Sequence, residues 1–213
     1  MSGNSQANVV ANHHADYPGF SGVEGALAGM SMMIGRAAGN RLAAELVELS
    51  AGDTLVDIGC GPGSATRLAA RRGATVIGVD PAPVMLRLAG AIPARGDLTW
   101  RVGTAEALPC EPDGATVVWA LATVHHWRDI DAALVQIRRV LAPGGRFLAM
   151  ERSAALGATG HASHGWTAEQ AEAFASDCRR AGLIDVSVSQ QHRGRRSLVV
   201  VVAREPDHDE HRS

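Results

Sequence analysis

The run Leu55-Val56-Asp57-Ile58-Gly59-Cys60-Gly61-Pro62-Gly63 constrains this chain more than any other segment. Thr54 to Ile58 is short, apolar and β-rich, which predicts a buried strand. Three glycines within the next five positions then end that strand in a turn. Glycine is needed where a ligand or the following helix approaches the backbone too closely for a side chain. In open parallel sheets ligands bind beyond the carboxyl ends of the strands, and this turn lies at such an end. A dinucleotide fingerprint, GxGxxG, would need glycine at position 64, which is Ser64. Asp57 at the mouth disfavours a phosphate and favours an ammonium group. The turn therefore points to a zwitterionic or cationic ligand rather than a polyphosphate.

Around this turn, strand and helix patterns alternate. Small and apolar residues at helical spacing predict a helix over Ala26–Leu49, with Gly39 as a break. Ser64–Arg72 reads as a helix closed by Gly73, Ala74–Val79 as a strand ending at Asp80, and Pro83–Ala91 as a helix. Leu98–Val102 and Ala115–Leu121 are strands, and Asp129–Leu141 is a helix stopped by Pro143-Gly144-Gly145. Arg146–Glu151 is a fifth strand, and Thr167–Ala181 a helix capped by Thr167. Asp185–Ser189 and Ser197–Ala203 flank the turn His192-Arg193-Gly194-Arg195-Arg196. Apolar strands alternating with amphipathic helices indicate a mainly parallel sheet covered on both faces. The last connection is too short for a parallel crossover, so the final pair is antiparallel. The expected fold is α/β: doubly wound, with a mainly parallel seven-stranded sheet and a C-terminal antiparallel hairpin.

At 213 residues the chain suits one domain. Residues 1–25 are expected to be a flexible N-terminal segment, residues 26–204 the domain, and residues 205–213 (EPDHDEHRS) a disordered tail. The formal net charge of -2 argues against broad electrostatic binding to nucleic acid or an anionic membrane. No apolar run approaches bilayer length, and MSGNSQANVVANHHADYPGF lacks the basic start and apolar core of a signal peptide. Three cysteines without a CxxC pair disfavour a disulfide framework or zinc ribbon and suit a reducing, cytoplasmic setting. Oligomeric state is not legible in the pattern.

Asp57-Ile58-Gly59-Cys60-Gly61-Pro62-Gly63 resembles the first motif of class I S-adenosylmethionine-dependent methyltransferases. Three further segments match in order and spacing. Val79-Asp80-Pro81 resembles the acidic end of the second strand, and Gly103-Thr104-Ala105-Glu106-Ala107-Leu108-Pro109 the turn after the third. Arg139-Val140-Leu141-Ala142-Pro143-Gly144-Gly145-Arg146-Phe147 resembles the entry to the fifth. The resemblance spans roughly Leu42–Arg204 and is similar to small-metabolite methylating members, including quinone methyltransferases.

The resemblance implies S-adenosylmethionine as cofactor, S-adenosylhomocysteine as product, and a small-molecule acceptor. Gly59, Gly61 and Gly63, with Cys60 between them, would admit the methionine part, and Asp57 would face its ammonium. Asp80 would accept from both ribose hydroxyls, since a carboxylate takes two donors at once. Pro81 and Met85 would pack on adenine. Thr104 stands where relatives commonly have an acidic residue, and is a weaker acceptor for the adenine amino group. Ala105 would offer its backbone N–H, while Glu106 either replaces the missing acceptor or faces solvent. Ala120 and Leu121 would line the site with backbone groups.

The candidate bases are His125 and His126, with helix capping or packing as the alternative role. Adjacent histidines with no third ligand nearby argue against zinc. Tyr17, the only tyrosine, and Trp166 are candidates to touch the acceptor. Two other function classes share parts of this pattern. One is a non-catalytic or partner-stabilising protein that binds S-adenosylmethionine. The other is a nicotinamide-dependent oxidoreductase, opposed by Ser64 and the terminal hairpin.

Overall fold

A computed structural model describes residues 36–155, 165–193 and 196–207. In chain order the elements are α1 (Ala37–Leu46), β1 (Thr54–Ile58), α2 (Ser64–Arg71), β2 (Thr75–Asp80), α3 (Pro83–Ala91), β3 (Leu98–Val102) and β4 (Ala115–Leu121). A 3-10 turn (Val124–His126) follows, then α4 (Ile130–Val140), β5 (Leu141–Arg152), α5 (Ala168–Arg180), β6 (Ile184–Arg193) and β7 (Arg196–Arg204). The sheet runs β3-β2-β1-β4-β5-β7-β6, with β7 antiparallel to both of its neighbours. The strand order reverses between β1 and β4, so the carboxyl ends of those two strands frame the crevice where doubly wound sheets bind ligands.

Period-two alternation divides the core between the two faces. Leu55, Val76, Val117, Trp119 and Leu148 pack with α1 and α2. Val56, Val118, Ala120, Phe147 and Ala149 pack with α4 and α5 on the opposite face. At the amino-terminal edge of the sheet, Asp53 ties three strands together. It accepts from Ser50 N and Oγ and from Thr116 Oγ1 (2.7 Å), and it pairs with Arg146. α5 begins with a full capping box: Gln170 N donates to Thr167 Oγ1, and Thr167 N donates to the Gln170 side chain.

Four local expectations are corrected. Gly39 does not break α1; it lies within the helix, where a Cβ would meet only ordinary contacts with Met150 and Leu198. β5 begins at Leu141 rather than Arg146, because Leu141 pairs with Ala115 before Pro143-Gly144-Gly145 loops out and pairing resumes between Val117 and Arg146. The hairpin strands extend to Arg193 and start again at Arg196, leaving only positions 194–195 between them. Finally, the ordered chain continues past Arg204. Gly144 N donates to Glu205 O, Glu205 N donates to Gly145 O, and the Glu205 carboxylate pairs with Arg138 at 2.6 Å. Residues 208–213, and residues 26–35 of the expected first helix, lie outside the described residues.

The Arg138–Glu205 clasp closes α4 against the chain end, and Arg138 also donates to Ala181 O. Glu205→Ala should lower unfolding free energy by about 1–3 kcal/mol, because a partly buried guanidinium loses its countercharge. Urea denaturation of the variant against wild type measures this. An unchanged midpoint would show that residues 205–207 are not part of the folding unit.

Candidate active site

The glycine turn is built by backbone bonds. Gly59 N and Cys60 N both donate to Val79 O (2.8 and 3.0 Å), which ties the end of β1 to the end of β2. Gly61 N donates to Asp80 Oδ2 at 2.8 Å, and Ala82 N to Asp80 Oδ1 at 2.9 Å. Gly59 and Gly63 have φ of +67° and +78°, the left-handed region that side chains disfavour. Both are also crowded: a Cβ on Gly59 would overlap Thr123, and one on Gly63 would overlap the Trp100 ring. Gly61 is different. Its φ is +54°, yet a Cβ there would meet no atom of the described residues within 4 Å, so they leave the space in front of it open.

Two side chains brace the turn from below. Arg67 Nη1 donates to Pro62 O and Gly63 O, Nη2 donates to Ala89 O, and the guanidinium lies 5.6 Å from the Trp100 ring centroid. Cys60 is buried beside Gly78, and burial pushes its thiol well above the usual range. It therefore packs rather than reacts.

The carboxylates occupy distinct settings. Asp57 is 2% exposed and accepts from Thr66 Oγ1 at 2.6 Å. Burial, reinforced by the negative charge of Asp80, raises its pKa to about 7 despite the Thr66 hydrogen bond. Its register partner on β4 is Trp119, whose buried indole nitrogen opposes the rise in the same direction as Thr66. Asp80 is also pushed upward by burial, with the Gly61 and Ala82 amides opposing that shift. Each Asp80 oxygen accepts one backbone amide and retains a second lone pair.

The other expected cofactor residues are placed unevenly. Pro81 is exposed beyond β2, and Met85 is buried within α3. Thr104 is exposed and Ala105 buried in the turn after β3. Glu106 neither hangs free in solvent nor stands as an unused acceptor: its Oε1 accepts from Arg128 N (2.8 Å) and Asp129 N (3.4 Å). Burial alone would raise its pKa, but these amides and its own hold it low. Ala120 is enclosed between Ile58 and Ala149 in the sheet, whereas Leu121 extends past the last β1 pair.

His125 is buried in the 3-10 turn, with Nδ1 2.9 Å from Glu151 Oε2; His126 beside it is exposed, its ring centroid 4.0 Å away. Trp166 is corrected. It is 3% exposed and packs at a tilt on Phe174, with ring centroids 4.9 Å apart, within the core rather than in an exposed loop. Tyr17 lies outside the described residues.

Residues 56–149 match the family described as "Methyltransferase domain". Over that stretch the chain is similar to class I S-adenosylmethionine-dependent methyltransferases. A demethylmenaquinone methyltransferase of Tropheryma whipplei is 33% identical over 114 residues, covering 53% of this chain and 47% of that protein. The chain thus spans about half the length of the curated relatives it matches. Among solved structures, a putative methyltransferase from a Haloferax volcanii complex with the Trm112 methyltransferase activator superposes with a TM-score of 0.70. It is 22% identical, covering 84% of this chain and 94% of that one. Haemonchus contortus phosphoethanolamine N-methyltransferase 2, in complex with S-adenosyl-L-methionine, gives a TM-score of 0.63 at 21% identity, covering 79% of this chain and 53% of that one.

Four residues around the site escaped the sequence reading. Thr66 and Arg67 sit on the first turn of α2 and hold Asp57 and the glycine turn. Thr123 fills the space that Gly59 leaves. Glu151 lies one residue before the end of β5, as Asp57 does in β1, and a carboxylate near the end of an apolar strand was the available signal.

The raised pKa of Asp57 has a definite sign. A proton held by the folded but not the unfolded chain stabilises the fold at low pH. That contribution is lost as pH rises from about 4 to about 7. Asp57→Asn should therefore gain on wild type across this window, by on the order of a few kcal/mol at pH 8. Thermal unfolding of both proteins at pH 5 and pH 8 checks it; a pH-independent difference would contradict the shift.

Proposed function

We propose that this chain transfers a methyl group from S-adenosylmethionine to a small-molecule acceptor by in-line displacement, leaving S-adenosylhomocysteine. The observation that carries the reading is the space over Gly61 that the described residues leave open, bounded by a turn whose amides and carboxylates are already ordered. The residues suit the group. Gly59, Gly61 and Gly63 would admit the methionine part. Asp57 would give its ammonium a countercharge, and a cation there would favour the ionised carboxylate. Asp80 would use its remaining lone pairs for ribose hydroxyls. Pro81, Met85, Thr104, Ala105 and Leu121 would border the adenosine part.

S-adenosylmethionine, when bound, supplies a methyl group on sulfur that is already an activated leaving group. The protein's task is then positioning. Holding donor and acceptor in line can lower a barrier by roughly 7–11 kcal/mol. The turn does this by being rigid before any ligand arrives, since its conformation is set by bonds to β2 and by Arg67. Similarity to a protein named for demethylmenaquinone supports a small organic acceptor. A reducing, cytoplasmic setting belongs to the same reading, supported by three cysteines that are all free thiols. No helix among the described residues is long and apolar enough to cross a membrane.

Calorimetric titration with S-adenosylmethionine, S-adenosylhomocysteine and NADH tests the proposal. The two sulfur nucleosides should bind saturably and NADH should not. Asp80→Ala, which also releases the Gly61 amide, should weaken binding by about 10–100-fold with the fold retained by circular dichroism. Binding of NADH alone, or of none of the three, would overturn the reading.

A further inference from the structure

Asp57 and Asp80 bring negative charge to the glycine turn, yet the methionine part of the proposed cofactor carries a carboxylate as well as an ammonium. A carboxylate that leaves water needs a cation or several donors in return. Arg67 cannot serve. It is 5% exposed beneath the turn, with Nη1 committed to Pro62 O and Gly63 O and Nη2 to Ala89 O.

Arg36, immediately before α1, is brought to the other side of the turn, and two separate chains of contact place it there. The first runs through α1. Arg36 O accepts from Asn40 N at 2.9 Å, and Asn40 Nδ2 donates to Ser64 Oγ at 3.2 Å, on the residue that follows Gly63. α1 runs antiparallel to β5: a Cβ on Gly39 would lie 3.5 Å from Met150 near the carboxyl end of β5, whereas Val47 O accepts from Arg146 nearer its start. Arg36 therefore sits one helical turn, about 6 Å, beyond the Ser64 contact toward the carboxyl ends of the strands. The second chain runs through β5. Thr123 fills the space against Gly59, Val124 N donates to Glu151 Oε1 at 2.8 Å, and the Glu151 charge acts on Arg36. Together they set Arg36 between the glycine turn and the end of β5, on the side of the sheet where ligands bind.

The guanidinium is not spent on a structural ion pair. Arg36 is partly buried, and burial lowers its pKa, with Glu151 opposing that shift and Arg196 adding to it. Glu151 lies against Val124 N and His125 Nδ1 instead, and no carboxylate among the described residues is within ion-pair distance of Arg36. A planar guanidinium offers two parallel N–H donors, which match the two oxygens of a carboxylate. Ser64, which meets Asn40, and Thr66, which holds Asp57, share the first turn of α2, so one element sets the placement of both charges.

We propose that Arg36 binds the methionine carboxylate of S-adenosylmethionine, so that the amino-acid end of the cofactor is held by two opposite charges, Arg36 for the carboxylate and Asp57 for the ammonium. This rests on the methyl-transfer reading. It makes Arg36 a specificity residue: the site selects nucleosides that keep the whole amino acid over those that have lost its carboxylate.

Calorimetric titration with S-adenosylmethionine and with its decarboxylated form, which keeps the sulfonium and the ammonium, tests this on wild type, Arg36→Gln and Arg36→Lys. Wild type should bind the complete cofactor about 10–100-fold more tightly than the decarboxylated one. Arg36→Gln should lose that preference, binding S-adenosylmethionine correspondingly more weakly and the decarboxylated compound as wild type does. Arg36→Lys, which keeps the charge but not the fork, should recover part of it. Equal weakening of both ligands in Arg36→Gln would give Arg36 a structural role and overturn the proposal. So would an unchanged affinity for S-adenosylmethionine, or a wild type that binds the two ligands equally, with the methyl-transfer reading left standing. A wild type that binds neither compound would overturn that reading and the role of Arg36 with it.

Discussion

The site depends on two backbone amides sharing one carbonyl. Gly59 and Cys60 both donate to Val79 O, so the chain leaving β1 is turned at once toward the end of β2. Only a left-handed residue makes that turn, and only one without a side chain leaves room for Thr123. Everything downstream follows from the direction set there. Gly61 comes within reach of Asp80, Gly63 starts α2 against Trp100, and Thr66 is delivered to Asp57. A different turn would leave two buried carboxylates without their donors, at a desolvation cost of several kcal/mol.

Three acidic residues lie at or near the carboxyl ends of β1, β2 and β5, and their surroundings separate them. Asp57 accepts from the Thr66 hydroxyl, but burial outweighs this and raises it into the neutral range, where a cationic ligand would change its state. Asp80 is held by two amides and shapes the loop. Glu151 accepts the Val124 amide and lies against His125, which ties the end of β5 to the turn after β4. Carboxylates at comparable strand ends thus take different parts according to what packs around them.

The sheet and most of its strands were legible because their signals are periodic: apolar runs, period-two alternation, and a final connection too short to cross over. The glycine turn was legible because left-handed geometry admits few residues. What was missed depends on pairing at a distance. Pro143-Gly144-Gly145 reads as a stop, yet Leu141 before it already pairs with Ala115, which a local pattern cannot show. Glu205 reads as the start of a polar tail until Arg138, far earlier in the chain, is seen to hold it. Trp166 looked like a rim residue in a glycine-rich stretch, but Phe174 draws it into the core. Glu106 had no visible partner in sequence because its donors are backbone amides 22 and 23 residues away.

The central claim is that a sulfur nucleoside lies over the turn Gly59–Gly63. Titration of 15N-labelled protein with S-adenosylhomocysteine, followed by amide correlation spectra, tests this most directly. The account predicts saturable shifts concentrated at Gly59, Gly61, Gly63, Asp80 and Ala105, with β6 and α5 unmoved. Saturable shifts confined to another surface, or none at millimolar ligand, would contradict it.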